Sequence, residues 1–486
     1  MKDLGTQAVR GATITLGAQG AKFAMSLGIT MVLARLLTPH DYGLFALAAL
    51  FTGLVAIFRD GGLSVATVQR ADISDAQLST LFWLNTALGI GLAFVMAAIS
   101  PMVGWFYGER SLVNISLALA VPFIFNGLGA QPQALLQRQL RFQTIAVIDI
   151  ASLVVSSAVG IAAAVAGLGY WALVIMLIVS SAVNTGLSCY FCQWRPSAPV
   201  RGAGIRAMMR FGGELTAMKF LDAAASSLDS LLLGKFFNAA AVGMYTRAQS
   251  LMLLPSSQIV PPLLSVSLPI MSRLSRDPPR LRQLFAELLC LTLLASSSIT
   301  VILVTASDWL VEVMLGSQWT QVPGILSYLA GPALFVPLSA FCVASMIALG
   351  EGRALIRWAF VKNVITAVAI VGGVPWGAKG VALSLSIASF LLLLPIMNHM
   401  IVKSGLIAPP AVWKATGIGI GICAAGCLLL TVGRACFVLN TPIGNLGLFG
   451  LMNAMFHILA LWVWPSSRHA LARIVRVAAS SRSDAI

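Results

Sequence analysis

Ionisable side chains interrupt several long apolar runs of this sequence, at positions where a charge facing hydrocarbon would cost a few kcal/mol. Buried cations of this kind can bind phosphate or acidic sugars, and buried carboxylates can neutralise them or hold a coupling ion. The cations that we take as candidate substrate-binding residues are Lys22, Arg59, Lys219, Arg247 and Lys362. The carboxylates that we take as candidate charge partners or ion-coupling groups are Asp60, Asp149, Asp222 and Asp229.

The spacing of these groups favours some roles over others. Lys22 lies in the middle of the first apolar run, while Lys219 and Asp222 lie in the run that corresponds to it in the second half. Residues three apart share one face of a helix, so this second pair can neutralise itself. Arg247 and Lys362 lie about one and two turns inside their runs at the 3.6-residue helical period. For each cation, pairing with a carboxylate for packing is an interpretation as good as substrate binding.

Irregular backbone is expected at a few places within the apolar runs. Arg59 and Asp60 are followed by Gly61 and Gly62. A glycine pair loosens a helix, and open backbone cannot face lipid, so we expect a break there that faces protein or water. Prolines, which kink helices, are concentrated in the eighth and tenth predicted helices at Pro255, Pro261, Pro262, Pro269, Pro323, Pro332 and Pro337.

The composition indicates that the apolar runs are membrane-spanning helices. The chain has 486 residues, of which 58% are hydrophobic and 10% charged, whereas a soluble domain carries roughly 25% charged residues. Apolar runs of about twenty residues, the length of a membrane-spanning helix, fill nearly the whole chain. We draw these spans at 12–36, 43–66, 79–101, 112–131, 144–166, 169–191, 211–234, 241–269, 284–306, 322–348, 355–375, 379–401, 412–433 and 446–464. The prediction is an all-α polytopic protein of about fourteen transmembrane helices.

The distribution of charge predicts orientation. The net charge is +15, and most Lys and Arg residues fall in alternate short loops between the apolar runs. This is the positive-inside pattern, which places both termini in the cytoplasm of a bacterial cell and decides against nucleic acid as the partner of a basic chain. The run from Ala12 to Leu37 is too long for a cleaved signal peptide and is assigned as the first span. The link from Gln193 to Arg210 falls where the array would divide, and Ser307 to Gln321 is the longest predicted outer loop.

Cofactor chemistry has little support in the sequence. Cys189 and Cys192 form a lone CxxC with no second pair, and the cysteines mostly lie in apolar runs. There is no Walker motif for direct use of ATP. We therefore expect no metal, no cofactor and no catalytic residue. His457, near the centre of the last span, is interpreted as a polar packing group.

The two halves of the sequence echo each other. Met31 to Phe45 aligns with Leu231 to Tyr245, with base on base and Gly43 on Gly243. A second echo aligns Gly167 to Leu173 with Gly377 to Leu383. We predict a six-helix repeat at 1–200, a second at 201–405, and two further helices with a basic tail at 406–486. A parallel repeat of this kind places a transport path between the halves, and the alternative is a duplicated inert scaffold.

Several segments resemble bacterial polysaccharide exporters of the multidrug/oligosaccharidyl-lipid/polysaccharide (MOP) exporter superfamily. The longest runs from Leu33 to Ala48 (LARLLTPHDYGLFALA) and resembles the signature that follows the first span. The shorter ones are DGGL at 60–63, VQR at 68–70, LRF at 140–142, GYWAL at 169–173, DSLLLG at 229–234, GMYTRA at 243–248 and LPIMSRL at 268–274. The sequence looks most similar to Wzx-type flippases of the colanic-acid and exopolysaccharide kind.

This resemblance implies a MATE-like fold and a transport function rather than an enzyme. The implied substrate is an oligosaccharide repeat unit on undecaprenyl pyrophosphate, flipped by alternating access to the periplasmic leaflet for exopolysaccharide, O-antigen or capsule biosynthesis. Basic residues of the first and eighth helices line the cavity of related flippases, and Lys22 and Arg247 lie in the corresponding helices. Membrane lipids, a polysaccharide polymerase and a chain-length regulator are the implied partners in the cell inner membrane.

Other functions remain open at this point. A drug or small-molecule exporter of the same superfamily would prefer an acidic cavity for cations, and carboxylates also lie in the spans. A membrane enzyme of the pathway, such as a polymerase or transferase, would need a large outer loop or a paired acidic motif. His40 and Asp41 are a lone pair. A passive channel or scramblase would need no energy source, and the sequence shows none.

Overall fold

The computed structural model describes residues 2–60, 73–199, 216, 219–274, 277–402 and 409–464. Every regular element in these ranges is helical, because a long apolar segment in lipid must satisfy its backbone hydrogen bonds internally. The helices of the first half are α1 (Lys2–Leu36), α2 (Pro39–Asp60), α3 (Asp75–Tyr107), α4 (Ser111–Ala118), α5 (Val121–Arg138), α6 (Phe142–Val165) and α7 (Trp171–Cys192).

The remaining helices begin after the link that the sequence places between the halves. They are α8 (Leu228–Phe236), α9 (Ala239–Arg273), α10 (Pro278–Thr305), α11 (Ser307–Met314), α12 (Val322–Tyr328), α13 (Ala330–Ala348), α14 (Gly352–Gly373), α15 (Gly377–Val402), α16 (Pro409–Cys436) and α17 (Pro442–Val463). Residues 219–226 are also helical and precede α8.

The helices confirm a multi-pass membrane protein. Within the described ranges, 10 stretches are long and apolar enough to cross a bilayer. One of these stretches, Gly352–Leu393, contains both α14 and most of α15, which are joined by the short 3-10 turn Val374–Trp376. Helices α1 and α9 are 35 residues each, longer than the roughly twenty that a span needs, but they are more polar than those stretches.

Three predicted elements differ from the structure. The fourth predicted span is two helices, α4 and α5, with a turn between them, and the tenth is α12 and α13 with a break at Leu329. The predicted outer loop 307–321 contains the short helix α11, which the sequence analysis did not predict. Hydropathy measures the length of an apolar run and is insensitive to breaks within it. Trp309 and Met314 are buried in α11, which explains why this short helix forms.

Local signals explain the boundaries of α3. Ser74 accepts a hydrogen bond from the Gln77 backbone, and the Gln77 side chain accepts one from the Ser74 backbone, so a capping box starts the helix. The helix then runs through Pro101 without ending. Gly108 ends it in the left-handed conformation, with φ of 71°.

Close packing fixes α5 between α3 and α7. A Cβ on Gly89 of α3 would lie 2.6 Å from the carbonyl oxygen of Phe123, and one on Gly127 of α5 would lie 2.8 Å from that of Asn85. Small residues therefore allow these two backbones to approach each other, as is common between membrane helices. On the other side, the Thr185 hydroxyl of α7 donates to the Phe125 carbonyl at 2.8 Å.

The chain forms two compact units, residues 1–243 and 244–486. The boundary falls within α9, so α8 and the first turn of α9 belong to the first unit. In the second unit, aromatic and aliphatic side chains of α10, α13 and α15 form an apolar cluster, in which the ring centroids of Phe285 and Phe341 are 5.1 Å apart. The division into segments 1–200, 201–405 and 406–486, which rests on the sequence repeat, stays a prediction.

Candidate functional site

A cavity of about 420 Å³ lies in the first unit among α2, α5 and α7. Seven of the 11 residues that line it have hydrogen-bonding or charged side chains. These polar lining residues are Thr52, Arg59, Asn126, Gln133, Ser180, Ser181 and Asn184. A polar cavity within membrane helices is a candidate substrate site by default, because polar groups are costly there unless they bind something.

Helical periodicity brings these side chains to the cavity. On α7, Ser181 and Asn184 are three apart and therefore share one face. On α5, Asn126 and Gln133 are two turns apart on one face. Arg59, in the last turn of α2, supplies the charge. The cavity therefore combines one guanidinium with amide and hydroxyl groups, which suits a ligand that carries both phosphate and hydroxyl groups.

An ion pair lies next to this cavity. The Lys22 ammonium on α1 contacts Asp149 Oδ2 on α6 at 2.8 Å, and the side chains keep 47% and 31% of their exposure. The other carboxylate oxygen of Asp149 accepts a hydrogen bond of 3.4 Å from the Asn184 amide, and Asn184 lines the cavity. Three of the predicted site residues therefore lie close together. Arg59 lines the cavity, and Lys22 and Asp149 are connected to it by Asn184, which the sequence analysis did not single out.

The other predicted residues lie in varied places. Lys219 and Asp222 are exposed on the helical segment 219–226. This segment lies beside the end of α2, because the rings of Phe58 and Phe220 are 5.3 Å apart. Asp229 is only 3% exposed, and its Oδ1 accepts the backbone N–H of Ser230.

In the second unit, Arg247 is half-buried on α9. Lys362 lines a separate cavity of that unit. Asp60 is the last residue of α2, and its side chain lies outside the described residues, as do the expected glycine break at 61–62 and most of the link to residue 210. The ion-coupling role of the four aspartates is untested and stays a prediction.

Sequence reasoning missed the neutral part of the site. Its polar but uncharged residues lie in apolar runs, and the sequence analysis considered only charged residues there. These residues are Asn126, Gln133, Ser180, Ser181 and Asn184. The signal that could have found them is the recurrence of polar residues at intervals of three, four or seven on predicted membrane helices. Only the structure shows that the two faces meet.

The structure also shows the surroundings of His457 and of the two cysteines of the CxxC sequence. His457 is buried on α17, where Nδ1 donates to the Asn453 carbonyl at 2.9 Å and Nε2 lies 3.1 Å from the Ser297 hydroxyl. Cys189 is exposed and Cys192 buried, and both are free thiols. Within the described ranges, His, Cys, Asp and Glu form no cluster of three that could hold a metal ion.

The fold defines the class of protein. The chain is similar to the solved structure of the lipid II flippase MurJ in an inward closed conformation, with a TM-score of 0.73, 13% identity, and coverage of 95% of this chain and 100% of the other. It is also similar to an inward-facing multidrug resistance MATE family transporter of the MOP superfamily, with a TM-score of 0.62, 12% identity, and coverage of 81% and 98%. The protein therefore has the all-helical fold of the MOP exporters.

The family follows from the sequence itself. The model of the family described as "Polysaccharide biosynthesis protein" matches residues 32–323, and this chain belongs to that family. The chain is 26% identical over 385 residues to the lipopolysaccharide biosynthesis protein WzxC of Escherichia coli (strain K12), covering 78% of this chain and 76% of that protein. The resemblance predicted from the motifs is thereby confirmed.

Proposed function

We propose that this protein flips an undecaprenyl-pyrophosphate-linked oligosaccharide repeat unit from the cytoplasmic to the periplasmic leaflet. The observation that carries the proposal is the polar cavity of the first unit, with Arg59 and the neighbouring Lys22–Asp149 pair. A pyrophosphate with attached sugars cannot cross hydrocarbon bare, because each charged or hydroxyl group would lose its hydration. Amide and hydroxyl groups replace the water around sugars, and a guanidinium matches a phosphate.

The position of the cavity supports loading from the cytoplasm. In the orientation predicted by the positive-inside rule, both termini are cytoplasmic, so α2 runs inward and Arg59 lies at its cytoplasmic end. Asp149 lies about two turns inside the start of α6, at the same side of the membrane. Anionic headgroups in the inner leaflet would meet these groups first. We include the inner-membrane location and about fourteen spans in the proposal.

Alternating access requires two related halves, and one set of contacts supports the predicted repeat. A Cβ on Gly43 would overlap the carbonyl oxygen of Ala239, and a Cβ on Gly243 would overlap that of Pro39. Subtracting 200 from Ala239 and Gly243 gives Pro39 and Gly43, so each contact maps onto the other. Reciprocal contacts of this kind are what a two-fold axis produces.

The helix caps repeat with the same offset. The Thr38 hydroxyl accepts the backbone N–H of Asp41 at 3.2 Å, and the Asn238 side chain accepts that of Ala241 at 2.8 Å. These caps start α2 and α9 in the same way. They support a parallel duplication. We also propose that a polymerase and a chain-length regulator act on the flipped product.

The test compares the leaflet distribution of lipid-linked glycan in spheroplasts of a deletion strain that carries each variant. Arg59→Met removes the cation of the cavity, and we expect surface glycan to fall at least about tenfold because a charge-assisted contact is lost. Repeat units should then accumulate facing the cytoplasm, protected from an external glycosidase. Arg110→Met is the matched control, since Arg110 is exposed between α3 and α4.

The other outcomes identify the competing functions. If complete repeat units reach the outer face of the deletion strain and remain unpolymerised, the protein acts after flipping, as an enzyme of the pathway would. If surface glycan is unchanged and sensitivity to drugs rises, the small-molecule exporter is the better description. Normal export by Arg59→Met would show that the cavity of the first unit is not the substrate site.

A further inference from the structure

The second unit contains a cavity of about 230 Å³ with a different character. Its walls come from α9, α13, α14 and α15 and are mainly aromatic and aliphatic. The polar groups that reach it are Lys362, Gln249, Ser339, Thr366 and Ser389, and Lys362 is the cation among the residues that line it. An apolar pocket with a few convergent polar groups is the usual form of a small-molecule site.

The charged group of this cavity lies far from either end of its helix. Lys362 is near the midpoint of α14 (Gly352–Gly373), about 15 Å from each end at 1.5 Å per residue. The four-carbon stem of a lysine is much shorter than this, so the ammonium cannot reach the interface by snorkelling. Trp358 and Thr366 lie one turn before and after it on the same face and line the same cavity.

The position of the other polar groups indicates where a ligand headgroup would lie. Ser339 is near the middle of α13 and Ser389 near the middle of α15, so the hydroxyls are at a similar distance along their helices to Lys362. Phe335, one turn from Ser339, continues the wall with carbon atoms. Because α13 and α14 run antiparallel, the apolar wall extends to both sides of this polar level, with Phe335 on one side and Trp358 on the other.

A ligand that fits these polar groups and apolar walls is an anion with one hydrocarbon chain. Five of the 16 residues that line this cavity are polar, against seven of 11 in the first unit, so its chemistry is more apolar than that of the first unit. The volume is below the roughly 300 Å³ at which ordinary ligand pockets begin, which allows part of one chain and leaves no space for two. Lysine is a common phosphate ligand and acts as a point charge.

We propose that the second unit binds a single-chain lipid phosphate, with the phosphate on Lys362 and the first carbons of the chain against Phe335. The inference rests on the proposed function in taking this ligand to be the carrier lipid. The cavity would hold the phosphate and chain of a carrier molecule at the depth of the hydrocarbon, as a second site separate from the cavity that we propose for the glycan-bearing pyrophosphate.

The test uses the full-length protein in phosphatidylcholine nanodiscs with geranylgeranyl phosphate that carries a photoactivatable diazirine on the chain. We expect labelled peptides from α13 and α14. Unlabelled geranylgeranyl phosphate should compete, whereas inorganic phosphate and geranylgeraniol should compete at least about tenfold less well, because each supplies only half of the contacts.

Variants then separate the role of the charge from that of the walls. Lys362→Met should weaken labelling about tenfold or more, and Lys362→Arg should retain it because the charge remains. Ser389→Trp fills the cavity and leaves Lys362 in place, so it should abolish labelling even if Lys362→Met does not fold. Arg357→Met is the matched control, since it removes an exposed cation from the same helix.

Three results would overturn the proposal. Equal competition by inorganic phosphate would indicate a free-anion site, equal competition by phosphatidic acid would indicate a general lipid site, and unchanged labelling of Ser389→Trp would place the ligand elsewhere. The leaflet assay keeps this result distinct from the proposed function. Labelling at Lys362 with normal flipping in the deletion strain would refute the flippase alone, and loss of flipping without labelling would refute this site alone.

Discussion

At the scale of single residues, the Lys22–Asp149 pair joins the two interpretations that the sequence left open for each charge. It is an ion pair, and it also contacts the cavity through Asn184. Within the membrane, a pair of opposite charges avoids most of the cost that either charge has alone. The pair can therefore hold α1 against α6 and still present charge to a ligand.

Neutralising the pair should separate these roles. We expect Lys22→Met and Asp149→Asn to lower thermal stability in detergent individually, because each leaves one charge without its ion partner. The double variant should recover part of the loss, with a coupling free energy of about 0.5–3 kcal/mol. Export should stay low in all three variants if Lys22 also contacts substrate.

The comparison has a clear contrary result. If the double variant exports normally, the pair serves packing alone, and Arg59 carries the charge of the site. If the effects on stability add without recovery, the two side chains are not coupled, and the 2.8 Å contact does not contribute to stability.

At the scale of helices, polar contacts of Arg434 attach α16 to α10 and α11 within the second unit. We call this set of contacts the polar clamp. Arg434, in the last turn of α16, donates to both carboxylate oxygens of Asp308 and to the Thr305 carbonyl at 2.8 Å. Its guanidinium also lies 4.3 Å from the ring centroid of Trp309, which packs on Phe449 of α17. The short helix α11, missed by the sequence, thus connects the two last helices to α10.

Removing the clamp should loosen these helices. We expect Arg434→Met to lower the free energy of unfolding by about 1.5–3 kcal/mol, the usual contribution of hydrogen bonds to a charged group. Arg434→Lys should recover little, since an ammonium cannot make the two-oxygen contact. The measurement is limited proteolysis and thermal unfolding in detergent, with the exposed cation variant Lys379→Met as the control. Equal stability of Arg434→Met and the control would show that the contacts of Arg434 do not stabilise α16 and α17.

The helices show how far sequence reasoning reached. The apolar runs predicted nearly every long helix, because membrane insertion depends on length and hydropathy, which are local properties. The helix in the predicted outer loop depends on packing against distant residues, as between Trp309 and Phe449. Of the predicted charges, Arg59 lines the cavity of the first unit and Lys22 and Asp149 lie beside it, and their roles stay predictions. The amides and hydroxyls were missed, because a neutral polar residue in a helix is informative only once its neighbours are known.

At the scale of the whole molecule, the contacts of Gly43 and Gly243 provide a test of the duplication. Both glycines face a carbonyl oxygen of the other segment at a distance that excludes a Cβ. We expect Gly43→Ala and Gly243→Ala each to reduce folded protein in the membrane severely and to a similar extent. The reason is that each would force apart the starts of α2 and α9. Fluorescence-detected size exclusion measures the folded fraction.

A neighbouring glycine supplies the control. Gly53 is also on α2, and a Cβ there would meet nothing within 4 Å. Gly53→Ala should be neutral or stabilise the helix by up to about 1 kcal/mol, since alanine is the better helix former. Normal folding of Gly43→Ala together with loss of Gly243→Ala would contradict the two-fold relation of the segments.

The reciprocal contact also constrains the history of the gene. If one ancestral segment was copied, the two glycines and the two carbonyls that they face began as a single pair of positions meeting its own duplicate. After the copies joined in one chain, a larger residue at either glycine would have clashed with the carbonyl oxygen of the opposite copy. The two copies could therefore diverge in their cavities, one polar and one apolar, only while this shared contact stayed unchanged.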